Sequence, residues 1–184
     1  LHCLEHKDNY SKMNEKEIYE RIKTGKEIIE KIIKREIIGF RAPRFQFNSY
    51  SILNKIKIKY DCSLNPTYIP RRYNNFFSSR KIFVKDNIKV VPATVSPVLR
   101  LPLFWLAFRN LPLIYYKNIK KINKNYVCLI FHSWEFTDIG YFDLPVLLKR
   151  NCGGSMVNKI EKYVRFCINK RYKFSIISDY LFKS

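Results

Sequence analysis

The sequence predicts an α/β fold with a mainly parallel sheet or barrel. Amphipathic helical periodicity alternates along the chain with short apolar runs that are typical of buried strands. The 184 residues have the length of one domain, and neither an internal repeat nor a linker interrupts the alternation. We therefore expect residues 1–184 to form a single α/β domain.

The first half of the chain begins with a strong helix signal. Asn14 followed by Glu17 is the pattern of an N-cap with its reciprocal partner, and isoleucines at helical spacing predict a helix that ends near Lys34. Further along, the pattern predicts a strand over residues 37–40, a short helix over 49–56, a strand over 58–61, a long loop over 65–80 and a strand over 88–91.

The second half indicates fewer strands. Its pattern predicts an apolar helix over residues 98–110, a strand over 126–131, a helix over 157–170 and a final strand over 174–177. Residues 126–131 carry the strongest strand signal in the chain. The most apolar stretch, residues 98–116, contains two arginines and two prolines, so it is typical of a buried or membrane-surface helix and not of a spanning one.

The chain is strongly basic, with 35 Lys and Arg against 15 Asp and Glu and a formal net charge of +20. Hydrophobic residues make up 47% of it, which excludes a disordered chain. Because the basic residues are spread along the whole chain, we interpret the charge as a solvated basic surface and rank a nucleic-acid-binding protein far behind. Such a surface would also favour contact with an anionic polymer or an anionic membrane surface.

The cysteines and the first residues bear on the compartment. Five cysteines, an odd number without a Cys-x-x-Cys pair, indicate reduced thiols and not a disulfide framework or a zinc ribbon. The first residues lack the pattern of a signal peptide, and together with the thiols this favours the cytoplasm. Because the chain opens with Leu1, we also expect it to be the downstream portion of a longer protein, whose N-terminus could carry an export signal.

Chemically reactive residues follow three of the predicted strands. Arg41, Asp61 and His132 each stand at the carboxyl end of one, and in α/β folds the carboxyl ends of strands gather reactive groups. His2 and His6 are four residues apart, which on one helical face puts their Cβ atoms about 5–6 Å apart, close enough to share a metal ion. We therefore expect folding to bring the paired histidines, Arg41 and His132 around one cleft.

Several ordered segments contain these residues. They are His2-Cys3-Leu4-Glu5-His6, the helix that follows it, Gly39-Phe40-Arg41-Ala42-Pro43-Arg44-Phe45, Tyr60-Asp61-Cys62-Ser63 and Phe131-His132-Ser133-Trp134-Glu135-Phe136. Together they resemble the C-terminal two-thirds or so of the polysaccharide deacetylase family, carbohydrate esterase family 4, also called the NodB-homology domain. The resemblance implies an incomplete, distorted (β/α) barrel of the glycoside hydrolase/deacetylase type.

The resemblance also implies an activity, the removal of acetyl groups from N-acetylated amino sugars in a polysaccharide or glycolipid. His2 and His6 would bind a divalent metal ion, as a rule zinc, which polarises the acetamide carbonyl and lowers the pKa of a bound water to about 7. His132 would be the general acid that protonates the leaving amine, and Arg41 would orient the catalytic carboxylate.

Four further residues would contact substrate by the same resemblance: Pro43, Phe45, Asp61 and Trp134. Core packing explains the aromatic side chains of Phe45 and Trp134 equally well, and a turn before Asn65 explains Asp61 about as well. We expect Glu135 to be structural or solvated. We interpret the basic and aromatic loop over residues 68–73 as a solvated surface in preference to a polymer contact.

One element of the family is absent from these residues. The Thr-Phe-Asp-Asp motif, which supplies the base and the third metal ligand, would belong upstream of Leu1, so we expect either a fragment of a complete enzyme or an inactive remnant. Two imidazoles alone predict weak zinc binding and little turnover. A saccharide-binding protein without catalysis and, far behind, a nucleic-acid-binding protein are the alternatives to a deacetylase, and the pattern predicts no oligomeric state.

Overall fold

A computed structural model of the chain describes residues 1–5, 7–122 and 126–183. The chain divides into two compact units, Leu1–Ala93 and Thr94–Ser184, and each has a hydrophobic core of its own. The single domain expected from the sequence stays a prediction. Within the described ranges, no helix combines the length and the apolarity that a membrane crossing requires.

The first unit is built on a four-stranded sheet. Its elements are α1 (Glu15–Ile33), β1 (Gly39–Phe40), α2 (Tyr50–Lys55), β2 (Tyr60–Asp61), β3 (Tyr68–Ile69), β4 (Tyr73–Asn74), β5 (Phe83–Lys85) and β6 (Ile88–Val90). The sheet has the order β1-β2-β6-β5, in which β1, β2 and β6 run parallel and β5 antiparallel, while β3 and β4 form a separate hairpin. The architecture is mixed α/β with a mostly parallel sheet, as predicted, and the described residues form no barrel.

Helix α1 begins where the sequence predicted. The Glu17 N–H donates to the Asn14 side chain at 3.0 Å, and the Asn14 N–H donates to the Glu17 carboxylate at 3.0 Å, which completes the expected capping box. Ile18 and Ile22 are buried and pack into the core that also contains the sheet. In the first half of α1 the isoleucine spacing therefore marks the face that is turned towards the sheet, whereas Ile32 near its end is 73% exposed.

The second unit is mainly helical. Its elements are α3 (Trp105–Asn110), α4 (Leu113–Ile122), α5 (Val146–Lys149), α6 (Gly154–Asn169) and α7 (Ile177–Phe182), with a short 3-10 helix over Ser133–Phe136. Phe108 makes edge-to-face contacts with Tyr116 and Tyr163, at ring-centre distances of 4.7 and 5.8 Å. These contacts join α3, α4 and α6 into one core.

Residues 126–131, which carry the strongest strand signal, do not form a strand. Ile130 makes an isolated bridge with Phe104, and the Cys128 N–H donates to the Thr94 hydroxyl at 2.8 Å. The prediction was wrong because an alternating apolar segment becomes a strand only where a neighbouring strand completes its hydrogen bonds. Here the alternation arises because Val127, Leu129 and Phe131 pack against the helical core.

Other boundaries also differ from the prediction. The helix predicted over residues 98–110 begins only at Trp105, because Pro102 lacks the N–H of a helix interior and instead bridges Val95 across a turn. The strand predicted over residues 174–177 is wrong, since Ile177 is the first residue of α7. The loop predicted over residues 65–80 contains the β3–β4 hairpin, and neither α4 nor β5 was predicted.

Candidate functional site

The carboxyl ends of the parallel strands in the first unit bring predicted site residues together. β1 and β2 pair in parallel register, so Arg41 and Asp61 come to the same edge of the sheet. The N-terminal residues run beside β1, because the Leu1 ammonium group donates to the Gly39 carbonyl at 3.0 Å and the Arg41 N–H donates to the Leu1 carbonyl at 3.0 Å. His2 therefore lies next to Arg41.

The His2 imidazole is oriented by the main chain of Arg41. Its Nδ1 lies 2.6 Å from the Arg41 carbonyl oxygen. A carbonyl oxygen only accepts hydrogen bonds, so Nδ1 carries a proton and, in the neutral ring, Nε2 carries the lone pair. Metal-binding histidines are commonly held by a hydrogen bond of this kind, and the exposed His2 ring thus has the chemistry of a metal ligand.

Asp61 is fully buried and supports the turn that follows Arg41. The Ser63 N–H donates to Asp61 Oδ2 at 3.0 Å, and the Ser63 hydroxyl donates to Oδ1 while it accepts from the Ala42 N–H at 2.7 Å. Burial raises the pKa of Asp61 to about 6, against the opposing effect of the Ser63 hydrogen bonds and the Arg41 guanidinium. Its contact with substrate stays a prediction, and its observed bonds hold the turn.

The turn after Arg41 has a strained backbone. Pro43 is buried, and Arg44 and Phe45 both adopt a φ of 58°, in the left-handed region that favours glycine. The Arg41 guanidinium lies 5.9 Å from the Phe45 ring centre and donates through Nε to the Cys62 carbonyl at 3.2 Å. Two residues predicted to contact substrate, Pro43 and Phe45, thus lie on this turn.

His6, the second predicted metal ligand, lies outside the described residues. In the part of the chain that the structure describes, no group of three or more His, Cys, Asp or Glu side chains could hold a metal ion. The segment after His2 is fixed by Asp8, whose buried carboxylate accepts from the N–H groups of Leu4 and Glu5, both at 3.2 Å, and from Arg21 Nε at 2.8 Å. Burial alone would raise the pKa of Asp8, but the Arg21 and main-chain hydrogen bonds hold it below its usual value.

Asp8 was missed by the sequence analysis. Aspartate readily accepts hydrogen bonds from nearby main-chain N–H groups in turns, so an aspartate just after the histidine pair was the available signal. Its ion pair with Arg21, at 2.5 Å between Oδ1 and a terminal guanidinium nitrogen, joins the N-terminal segment to α1.

In the second unit, His132 forms a dyad with Glu135. His132 caps the 3-10 helix, its N–H donates to Glu135 Oε1 at 2.5 Å, and its ring Nδ1 lies 3.1 Å from the same oxygen. The Glu135 carboxylate is fully buried and pairs with Arg109, which is also buried, at 3.5 Å from Nε to Oε2. An exposed imidazole is thus anchored on a buried ion pair.

Aromatic rings enclose the buried guanidinium. The guanidinium carbon of Arg109 lies 5.2 Å from the Trp105 ring centre and 5.3 Å from that of Trp134, within the range of cation–π attraction. The His132 ring stacks on Trp134 at 5.5 Å, and the Cys152 sulfur also contacts the guanidinium. Trp134, predicted to contact substrate, is half-exposed and shares its ring between His132 and Arg109.

This arrangement suits proton transfer by His132. A carboxylate oxygen only accepts, so Glu135 favours the imidazole form with its proton on Nδ1 and leaves Nε2 as the atom that exchanges a proton. Arg109 was not predicted as a site residue from the sequence, and Glu135 was expected to be structural or solvated. An arginine inside an apolar helix was the available signal, since a buried guanidinium needs an acidic partner.

Comparisons of this chain with protein-family models, with curated protein sequences and with solved structures found no match. The family resemblance therefore rests on the ordered segments themselves. His2 and Arg41 are brought together within the first unit, and His132 belongs to the second unit. Their predicted convergence around one cleft stays a prediction.

Proposed function

We propose that this protein is a metal-dependent hydrolase of the polysaccharide deacetylase type, which removes acetyl groups from N-acetylated amino sugars in a polysaccharide or glycolipid. The observation that carries the proposal is the contact between His2 and Arg41 at the carboxyl edge of a parallel sheet. The two residues are far apart in the sequence and belong to different segments of the family resemblance. An incomplete, distorted (β/α) barrel is part of the same proposal, supported by the parallel pairing of β1, β2 and β6.

A divalent metal ion, zinc by preference, is the proposed cofactor, with His2 and His6 as its protein ligands. The donor chemistry of His2 fits such an ion, since its Nδ1–H is engaged by a carbonyl oxygen and the lone pair is on Nε2. When bound, the ion supplies Lewis-acid polarisation of the acetamide carbonyl.

The chain's own residues supply proton transfer and orientation. Hydrolysis adds water to the acetamide carbonyl carbon, breaks the C–N bond and delivers a proton to the departing amine. His132 donates that proton from Nε2, and the Glu135 carboxylate, 3.1 Å from Nδ1, stabilises the ring. Arg41 would orient the catalytic carboxylate of the Thr-Phe-Asp-Asp motif, which these residues lack, through its planar guanidinium, a task for which lysine is a poor substitute.

Acetate release from a short N-acetylglucosamine oligomer, measured with added zinc, tests the proposal. Wild-type protein should release acetate slowly, because these residues lack the Thr-Phe-Asp-Asp motif that supplies the base and the third metal ligand. His2→Ala should lose both zinc affinity and this activity. His132→Ala should lose about 10²–10⁴-fold in kcat with its zinc affinity unchanged, because it removes the proton donor alone. Glu161→Gln is the control, since Glu161 forms only an exposed ion pair with Arg165 on α6.

The acetate-release assay, together with measurements of saccharide and nucleic-acid binding, separates the alternatives. Acetate release that survives both histidine substitutions would contradict the proposed roles of His2 and His132. Saccharide binding without acetate release, even in excess zinc, would favour the non-catalytic saccharide-binding protein. Binding to nucleic acid that weakens steeply with salt, with no affinity for saccharides, would favour the basic nucleic-acid-binding protein.

A further inference from the structure

The first unit contains a cavity of about 570 Å³, and none of the residues to which we assign metal binding or proton transfer lines it. Its walls come from the turn after β1, the start of α2, the β3–β4 hairpin with the loop that follows it, and β5. A cavity of this volume is within the range of small-molecule sites in proteins, roughly 300–1,000 Å³. It is therefore large enough for a sugar unit.

The charge of the cavity is positive and uncompensated. Arg72 and Lys85 line it, and none of its lining residues is Asp or Glu. Neither cation pairs with a carboxylate in the described part of the chain, and the Lys85 ammonium lies over the Tyr50 ring, 5.1 Å from its centre. A concave site lined by charge of one sign concentrates ligands of the opposite sign.

The remaining lining offers hydrogen bonds and aromatic faces. The Gln46 amide donates to the Arg72 carbonyl at 2.9 Å, which ties two walls of the cavity together. The Asn65 amide donates to the Tyr73 hydroxyl at 2.9 Å, so that hydroxyl retains its own proton to donate. Phe45 adds an apolar face beside these polar groups. The lining thus combines many hydrogen-bonding side chains with several aromatic rings, which suits a small polar ligand.

The cavity borders the edge of the sheet where His2 and Arg41 lie. Phe45 lines the cavity and its ring is also the one that faces the Arg41 guanidinium, at 5.9 Å. Ser63 lines the cavity too, and its hydroxyl bonds the buried Asp61. A ligand in the cavity would thus lie close to the proposed reaction site.

We infer that this cavity binds an acidic sugar unit of the substrate, a sugar bearing a phosphate or carboxylate group, through Arg72 and Lys85. The inference rests on the proposed function for the identity of the ligand as part of the substrate. It narrows the substrate class from any N-acetylated saccharide to an anionic polysaccharide or glycolipid.

Calorimetric titration of the full chain without zinc tests this inference, with N-acetylglucosamine 6-phosphate, glucuronic acid, N-acetylglucosamine and inorganic phosphate as probes. At least one acidic sugar should bind ten-fold or more tighter than N-acetylglucosamine and than inorganic phosphate. Arg72→Gln and Lys85→Gln should each weaken that binding ten-fold or more. Arg71→Gln and Lys81→Gln are matched controls, because they remove cations that do not line the cavity and should leave the affinity unchanged.

Two results would overturn the inference. One is equal affinity for neutral and acidic sugars, and the other is equal weakening by the control substitutions, which would indicate attraction by net charge alone. The stronger of the two acidic sugars identifies the phosphate or the carboxylate as the recognised group. The titration contains no zinc, so its result is independent of the acetate-release assay. Selective binding of an acidic sugar without acetate release would support the proposed binding site and contradict the proposed hydrolase. Acetate release without selective binding would contradict the binding site alone.

Discussion

Arg109 and Glu135 form an ion pair in which neither side chain is exposed to solvent, with Nε and Oε2 3.5 Å apart. The two residues lie on α3 and on the 3-10 helix, so the pair joins two segments of the second unit. Removing charges from water is expensive, and each member of such a pair therefore depends on the other.

Breaking this pair should destabilise the second unit strongly. Arg109→Met leaves the Glu135 carboxylate buried without its cation, and we expect the free energy of unfolding to fall by about 3–5 kcal/mol. The double substitution Arg109→Met with Glu135→Leu should lose less than the sum of the single ones, since it buries no unpaired charge. Urea denaturation measures both, with Arg165→Met at the exposed Glu161 pair as the control, for which a change of about 0–1 kcal/mol is expected. Additive losses in the double variant would show that the two charges are not coupled.

The buried carboxyl of Asp61 should make stability depend on pH. Its pKa in the folded protein is about 6, above the ordinary 3.8, so the folded state holds the proton more tightly than the unfolded state does. The stabilising contribution is then fully present below about pH 4 and is lost as the pH rises through about 6, for a total of roughly 3 kcal/mol. Asp61→Asn should remove this loss. Denaturation of both proteins between pH 4 and 8 tests it, and parallel pH profiles would refute it.

Asp8 should have the opposite pH dependence. Its pKa lies below the usual value, so the stability that it contributes is present at neutral pH and is lost as the pH falls through that lowered pKa. Asp8→Asn should lower the free energy of unfolding by about 2–3 kcal/mol at pH 7, since it removes charge-assisted hydrogen bonds. The difference from wild type should shrink in acid. Glu161→Gln, at an exposed pair, should change little, and a difference that is constant with pH would contradict the role of the charge.

A larger residue at Gly39 should displace the ring of Tyr60. A Cβ atom there would lie 2.2 Å from Cζ of Tyr60, its partner on β2. We expect Gly39→Ala to destabilise the protein by about 1–3 kcal/mol, because the ring must move. Gly154→Ala is the control, since nothing lies within 4 Å of its added Cβ. In thermal denaturation, Tyr60→Val should restore most of the loss in the Gly39→Ala background, and a loss that persists there would place the clash elsewhere.

Features that depend on neighbouring residues were predictable from the sequence. The capping box of Asn14 and Glu17 is complete within four residues, and α1 formed as expected. The meeting of Arg41 and Asp61 at one edge joins residues that are 20 positions apart, but it was predictable from a general rule, because the carboxyl ends of parallel strands lie at the same edge of a sheet. In each case the residue types and their order along the chain were enough to predict the contact.

Features that depend on a distant partner were not predictable in the same way. Residues 126–131 have the composition of a strand, but Phe104 supplies only an isolated bridge at Ile130. The partner of Arg109 is 26 positions away, and helical periodicity does not identify it. The contact of His2 with the Arg41 carbonyl likewise depends on the N-terminal residues lying beside β1.

The left-handed conformation of Arg44 and Phe45 has a consequence for recognition. Side chains other than glycine avoid this region, at a cost of about 1–3 kcal/mol for each residue held there. Hydrogen bonds around the turn, among them the one that the Ala42 N–H donates to the Ser63 hydroxyl, offset this strain in the free protein. The surface that Phe45 offers is consequently preorganised, and an arriving ligand need not spend binding energy on shaping it.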